Sequence, residues 1–101
     1  MDRIYTGLKK ENQIKHFKHR LHERYDIEIG DEEIEYYVGL IQTGHQSQVI
    51  HLAKQSKRVS FKLLIIRGET IPVIYDKKRK TLVTALPADC ALVRYYLEEQ
   101  L

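Results

Sequence analysis

The 101-residue chain predicts an α+β fold, with two N-terminal helices packed on a four-stranded antiparallel β-sheet and a C-terminal helix. Three observations carry this. Apolar residues in the N-terminal part recur every three or four positions, which is the helical period. From Gln46 onward β-branched residues gather in short runs, separated by connections too short for a crossover, so neighbouring strands run antiparallel. Beyond Pro87 a further helical stripe begins.

Taken in order, Leu8, Ile14, Phe17, Leu21 and Tyr25 predict a first helix over 8–25 with a narrow apolar stripe. Asp26 to Gly30 breaks the pattern. Asp31 is the expected N-cap of a second helix whose acidic first turn suits the helix dipole. That helix runs to Thr43, turns Ile34, Tyr37, Val38 and Ile41 inward, and stops at Gly44, a good C-cap residue. Strands are expected over 47–55, 58–66, 70–76 and 81–86, joined by Ser56-Lys57, Arg67-Gly68-Glu69 and Lys77 to Lys80. Pro72 has no N–H for a sheet ladder, so it is expected at the first paired residue of its strand or at a bulge. Leu63, Ile65, Ile71, Val73, Tyr75, Leu82 and Leu86 should face the helices, leaving a more polar opposite face open for binding. Ala88 to Gln100 reads as the last helix, its stripe formed by Leu92, Tyr95, Tyr96 and Leu101. The expected organisation is one domain over 1–101, with a core at 8–87 and a helical extension at 88–101.

The composition, 43% hydrophobic, suits one compact domain that needs no disulfide or metal staple. Cys90 is alone, and no Cys/His pairing has zinc spacing, so a reducing compartment is expected. Met1 to Gly7 lacks an apolar signal region, and no run reaches the roughly 18 to 20 apolar residues that cross a bilayer. A cytoplasmic protein with no membrane partner is the expectation. Charge is small in sum, +3, and uneven in distribution. Lys9, Lys10, Lys15, Lys18, Arg20 and Arg24 crowd the first helix, acids crowd 31–35, and Lys54 to Lys80 is basic again. Two basic segments packed side by side would form a field that attracts a polyanion. The competing reading is that these lysines solvate two faces.

His16, Arg20 and Arg24 stand four residues apart, which stacks an imidazole and two guanidinium groups along one helical face. Such a face suits phosphate better than an apolar core. With it go the Ile27-Glu28-Ile29-Gly30-Asp31-Glu32-Glu33 helix start, the Gln55-Ser56 turn, Gly68, Ile74-Tyr75-Asp76 and Val83-Thr84-Ala85-Leu86-Pro87. Over about residues 14 to 87 this order resembles small toxin ribonucleases of the barnase/EndoU/colicin/RelE-like group. The resemblance implies metal-independent cleavage of RNA, often transfer RNA, and an antitoxin or immunity protein as partner. It puts His16 in the role of the helix-one histidine, Thr84 in that of the last-strand hydroxyl, and Arg58 or Lys54 in that of the basic residue near the first hairpin. Two departures stand out. Asp26 occupies a position where glycine commonly follows the Arg-Tyr pair, and the chain continues past the usual Leu-Pro end.

RNA cleavage without metal needs a base for the 2′-hydroxyl, an acid for the leaving oxygen and cations for the phosphorane. Histidine serves as either acid or base, arginine grips phosphate bidentately, and a threonine hydroxyl adds one hydrogen bond. The expected catalytic set is His16, Arg20, Arg58 and Thr84. Arg24, Lys54, Lys57, Ser60, Lys77 and Lys78 are expected to bind substrate. Each residue has a rival account: His16 as a solvated histidine, Arg20 and Arg24 as partners of Glu23, Glu28 or helix-two acids, Thr84 as a strand former, and Lys77 to Lys80 as a solvated turn. His19, His22, His45 and His51 are expected at the surface. No cofactor or metal is expected, because the acids cluster where the helix dipole wants them. No glycines of a nucleophile elbow surround any serine. Two other functions fit the same residues. One is a noncatalytic RNA- or DNA-binding module that stacks bases on Tyr36, Tyr37 or Phe61. The other is an interaction protein, such as a phage-encoded or toxin-neutralising partner.

Overall fold

The structure, a computed structural model, describes residues 9–44, 49–54 and 57–90, with the backbone alone at 51–54. Among the described residues two helices precede four strands: α1 (Lys10–Tyr25), α2 (Asp31–Thr43), β1 (Val49–Lys54), β2 (Val59–Ile66), β3 (Glu69–Asp76) and β4 (Thr81–Ala85). The strands form one antiparallel sheet in the order β1-β2-β3-β4. The α+β arrangement is thus the expected one. Of the C-terminal helix expected over 88–100, positions 88–90 form a turn in which the Cys90 N–H donates to the Pro87 carbonyl at 3.1 Å, and positions from 91 on lie outside the described residues, as do Leu8 of the first stripe and positions 47, 48 and 55 of the first strand.

Helix α1 ends on Asp26, which sits in the left-handed region at φ 54 and returns its N–H to the His22 carbonyl at 2.9 Å. This conformation suits glycine best and is tolerated by Asp and Asn among other residues. Helix α2 starts differently from the expectation. Gly30 is the N-cap and Asp31 the first helical residue, with no side-chain cap bond. Asp31 instead ion-pairs with Lys18 of α1, a cross-helix contact that its position in the first turn allows. Gly44 closes α2 at φ 69, as its lack of a Cβ permits.

The core between helices and sheet gathers Phe17, Leu21, Ile34, Tyr37, Val38 and Ile41 against Val49, Leu64, Ile66, Ile71, Val73, Tyr75, Leu82 and Ala85. Each fully buried Leu, Ile or Phe here is worth roughly 1.5–3 kcal/mol. The facing expected for β2 is corrected by one residue. Leu64 and Ile66 face the helices, not Leu63 and Ile65, because Leu64 lies opposite Ile71 in the ladder. Leu63-Leu64-Ile65-Ile66 is apolar throughout, so it carries no alternation to set its parity. At β4 the register shifts between the Tyr75–Leu82 and Ile74–Thr84 pairs. That bulge turns Ala85 toward the helices and sends Leu86 to the other face, a second correction.

The opposite face is neither polar nor open. Val59, Phe61, Ile74 and Val83 form a second buried cluster, with Leu86 packed against it. Both faces of β4, of β3 from Ile71 on and of most of β2 are buried, which is why these strands read as nearly continuous apolar runs. Pro72 also departs from its expected place. It is the fourth residue of β3 and pairs with Leu63 in the middle of the β2 ladder. Its carbonyl accepts from the Leu86 N–H at 2.8 Å, so its nitrogen points to the same side, where β4 has just ended. The missing N–H therefore breaks no ladder bond to β2.

Candidate nucleic-acid interface

Helix α1 runs alongside the edge strand β4. Gln13 meets Asp76 at one end, and Arg24 reaches the Ala85 carbonyl at 2.6 Å at the other. Eleven helical residues rise about 16 Å, and the four steps from Thr81 to Ala85 advance about 13 Å, so the two elements keep pace. The adjacent Tyr25 hydroxyl donates to the Leu86 carbonyl at 2.5 Å. Burial pushes the Tyr25 phenol up to about 12, with Cys90 adding to the shift. The C-terminal end of α1 is thereby pinned to the end of β4.

At the other end lies a buried carboxylate. Asp76 is fully buried, accepts from Gln13 Nε2 at 2.9 Å, and takes the backbone N–H groups of Lys78 and Arg79 at 2.9 and 3.1 Å. Arg58 Nε lies 3.4 and 3.3 Å from its two oxygens, and Arg58 Nη2 lies 3.3 Å from Oδ2. Burial alone would raise this carboxyl; the Gln13 amide, the turn N–H groups and Arg58 together outweigh it and hold the group below its ordinary value. Two backbone bonds complete the corner. Lys80 N donates to Asp76 O at 2.8 Å, and Lys77 N donates to Arg58 O at 2.7 Å. The Arg58 guanidinium and the backbone of the Lys77–Lys80 turn therefore converge on one buried acid, which gathers Lys57, Arg58 and the four cations of the turn into one corner.

His16 lies one helical turn beyond Gln13, and side chains so spaced stand roughly 5–6 Å apart at Cβ. It is half-buried. Burial, then Arg20, His19 and Arg24, press its pKa below the ordinary value of 6.5. The result is a neutral imidazole in a cationic setting, which can accept a proton but resists holding one. Arg20 pairs with Glu23 through Nη1 and Oε1, so the rival account of this arginine as a local ion-pair partner describes an actual contact. Arg24 is exposed, and its contact is to the β4 carbonyl rather than to an acid.

The other expected residues are distributed as follows. Lys57 and Lys78 are exposed, and Lys77 is half-buried. Ser60 and Thr84 are buried, at 3% and 1% exposure. Thr84 lies opposite Ile74, a member of the far-face cluster, because of the β4 bulge. The side chain of Lys54 and those of His45 and His51 fall outside the described residues. His19 and His22 are exposed and lie near Glu23 and near Asp26 and Glu28, respectively. Of the proposed stacking residues, Tyr37 and Phe61 are buried; Tyr36 is 55% exposed but stands on the acidic helix α2, where phosphate is repelled. Among the described residues no three His, Cys, Asp or Glu side chains gather as a metal-holding group, and no helix is long and apolar enough to cross a membrane.

Gln13 and Asp76 are the site residues that sequence reasoning missed. A signal existed. Gln13, Phe17 and Leu21 share four-residue spacing on the buried stripe of α1, and Asp76 ends an apolar strand before four consecutive cations. A polar residue in each of two core runs calls for a mutual partner. Compared with known protein families, with curated proteins and with solved structures, the chain matches none of them.

Proposed function

We propose that this protein is a metal-independent endoribonuclease, working at the corner formed by the first half of α1, Arg58 and the Lys77–Lys80 turn. The observation that carries the reading is the setting of His16: a half-buried imidazole one helical turn from the Gln13–Asp76 bond, in line with Arg20 and Arg24, where burial and those cations lower its pKa. A surface histidine with no task does not need such a setting, whereas a general base does. The resemblance to small toxin ribonucleases, which rests on the same His16-Arg20-Arg24 face, agrees with it and would bring a structured RNA substrate, an antitoxin or immunity partner and action in the cytoplasm.

In this mechanism neutral His16 takes the proton of the substrate 2′-hydroxyl. The freed oxygen attacks the adjacent phosphorus, and the bond to the 5′-oxygen breaks as that oxygen gains a proton from water. The products are a 2′,3′-cyclic phosphate and a 5′-hydroxyl. Arg20, released from Glu23 by the stronger charge of a phosphate, and Arg58 neutralise the phosphorane, and Lys57, Lys77 and Lys78 hold flanking phosphates. Thr84 and Ser60, being buried, receive no contact with RNA in this account.

A second reading, noncatalytic RNA or DNA binding, draws on the same corner. It is favoured by the burial of Thr84 and by the pairing of Arg20, which leave the cations without a visible catalytic hydroxyl. Incubating the purified chain with total RNA in the presence of a chelator and mapping the ends separates the two. Discrete cuts with cyclic-phosphate ends are expected; intact RNA that is nonetheless bound would favour the second reading.

A further inference from the structure

We infer that Asp76 is a positioning residue for this interface, and that it acts by fixing the Arg58 guanidinium as a preformed phosphate anchor. The inference rests on the corner's proposed contact with a phosphate backbone. A buried carboxylate faces three kinds of donor here: the Gln13 amide from α1, the Lys78 and Arg79 N–H groups from the β3–β4 turn, and Arg58 from the start of β2. Asp76 thus joins three segments through a single side chain, and two of them carry the cations of the corner. Two consequences follow. The turn N–H groups at 78 and 79 point inward to Asp76, so an RNA phosphate is met by side chains and not by the turn backbone. Arg58, held through Nε and Nη2, is fixed in orientation before any ligand arrives, which spares the entropy of ordering it.

The carboxylate also cancels one positive charge at the centre of a basic patch. A residue selected only to attract polyanions would not be acidic. Its presence is explained by geometry: six neighbouring cations repel one another, and a buried anion lets two segments bearing them pack together. Gln13 extends the same arrangement to α1, one turn from His16, so the spacing between His16 and Arg58 is set through Asp76.

Asp76→Asn isolates the charge. The Asn oxygen can still accept from the turn amides, while the pull on Arg58 is lost. The experiment compares the full-length wild type and this variant by amide and Arg Nε–H exchange in NMR, and by anisotropy of a labelled oligouridylate across a salt series. Expected are a folded variant with protected Lys78 and Arg79 amides, faster exchange of the Arg58 Nε–H, and a log-log salt slope reduced by about 0.7, the worth of one contact on a single strand. An Arg58 Nε–H exchange rate at its wild-type value, or a measurable salt slope at its wild-type value, would overturn the inference. Should Asp76→Asn fail to fold, Arg58→Gln carries the test, since it removes the anchoring charge and with it one phosphate contact; a wild-type slope there also overturns it. Wild-type protein that binds no oligouridylate while Asp76→Asn frees the Arg58 Nε–H removes the functional reading and upholds Asp76 as the residue that holds Arg58. Binding with a slope that Asp76→Asn leaves unchanged removes this inference and spares the reading.

Discussion

Gln13 donates to Asp76 at 2.9 Å across 63 residues of chain, and both side chains are fully buried. This bond joins the N-terminal half of α1 to the last residue of β3, and so fixes how the helix lies over the sheet edge. Removing the acceptor leaves the Gln13 amide, two turn N–H groups and a half-buried guanidinium without it. Asp76→Ala is expected to cost roughly 2–4 kcal/mol, the usual consequence of orphaning buried donors and a partnered charge. Denaturant titration checks it.

The same carboxylate gives an acid dependence. Its pKa is lower in the folded chain than the ordinary 3.8, so the unfolded state binds the proton first. The stability it contributes is fully present above that ordinary value and is lost as pH falls through the lower folded value. Thermal unfolding of wild type and Asp76→Asn should therefore converge below pH ~3.8 and diverge above it.

Asp26 holds a left-handed conformation at the end of α1 that glycine adopts without steric cost. Asp26→Gly is expected to raise stability by about 0.5–1 kcal/mol, with the fold unchanged. The reverse change at Gly44, φ 69, should lower it by at least as much.

The helices and strands were legible because their periods differ and their connections are short. What was not legible follows from two local facts. The Leu63 to Ile66 run has no polar residue to mark a face, so only the pairing of Leu64 with Ile71 decides its orientation. The bulge at β4 leaves no mark on the pattern Thr81-Leu82-Val83-Thr84-Ala85, yet it reverses which face Ala85 and Leu86 take and sets Thr84 opposite Ile74. The cationic residues of the site could be read from the chain directly, since charge is a property of the residue. The acid that organises them left a weaker signal, a lone carboxylate closing an apolar strand, because two of its partners, Gln13 and Arg58, lie 63 and 18 residues away.

Helix α1 offers a pH test of His16. Its pKa lies below 6.5, from burial first and then from Arg20, His19 and Arg24, so the imidazole is neutral at physiological pH. Cleavage should fall on the acid side, as pH drops through that lowered value. Arg20→Gln removes one of the charges pressing it down, and the acid limb should move up toward 6.5. The native state also disfavours protonation relative to the unfolded chain, so stability should decline as pH falls from 6.5 toward the folded value. Rate and melting profiles, measured side by side, report the two effects.

Nucleic-acid affinity should fall steeply with salt, with a log-log slope on the order of −3 to −5 for four to six phosphate contacts. Lys78→Gln is expected to shallow that slope with little change in melting temperature, since its side chain is exposed. Anisotropy across a salt series measures it, and a flat profile would remove nucleic acid from the account.

The most direct measurement is cleavage of a substrate carrying a single 2′-deoxy nucleotide at the mapped cut site, in chelator, by wild type and by His16→Ala. The account predicts that the deoxy substrate binds but is not cut, because its nucleophile is missing, and that His16→Ala cuts the all-ribose substrate roughly 10² to 10⁴ more slowly. Efficient cleavage at the deoxy position, or full activity of His16→Ala, would contradict it.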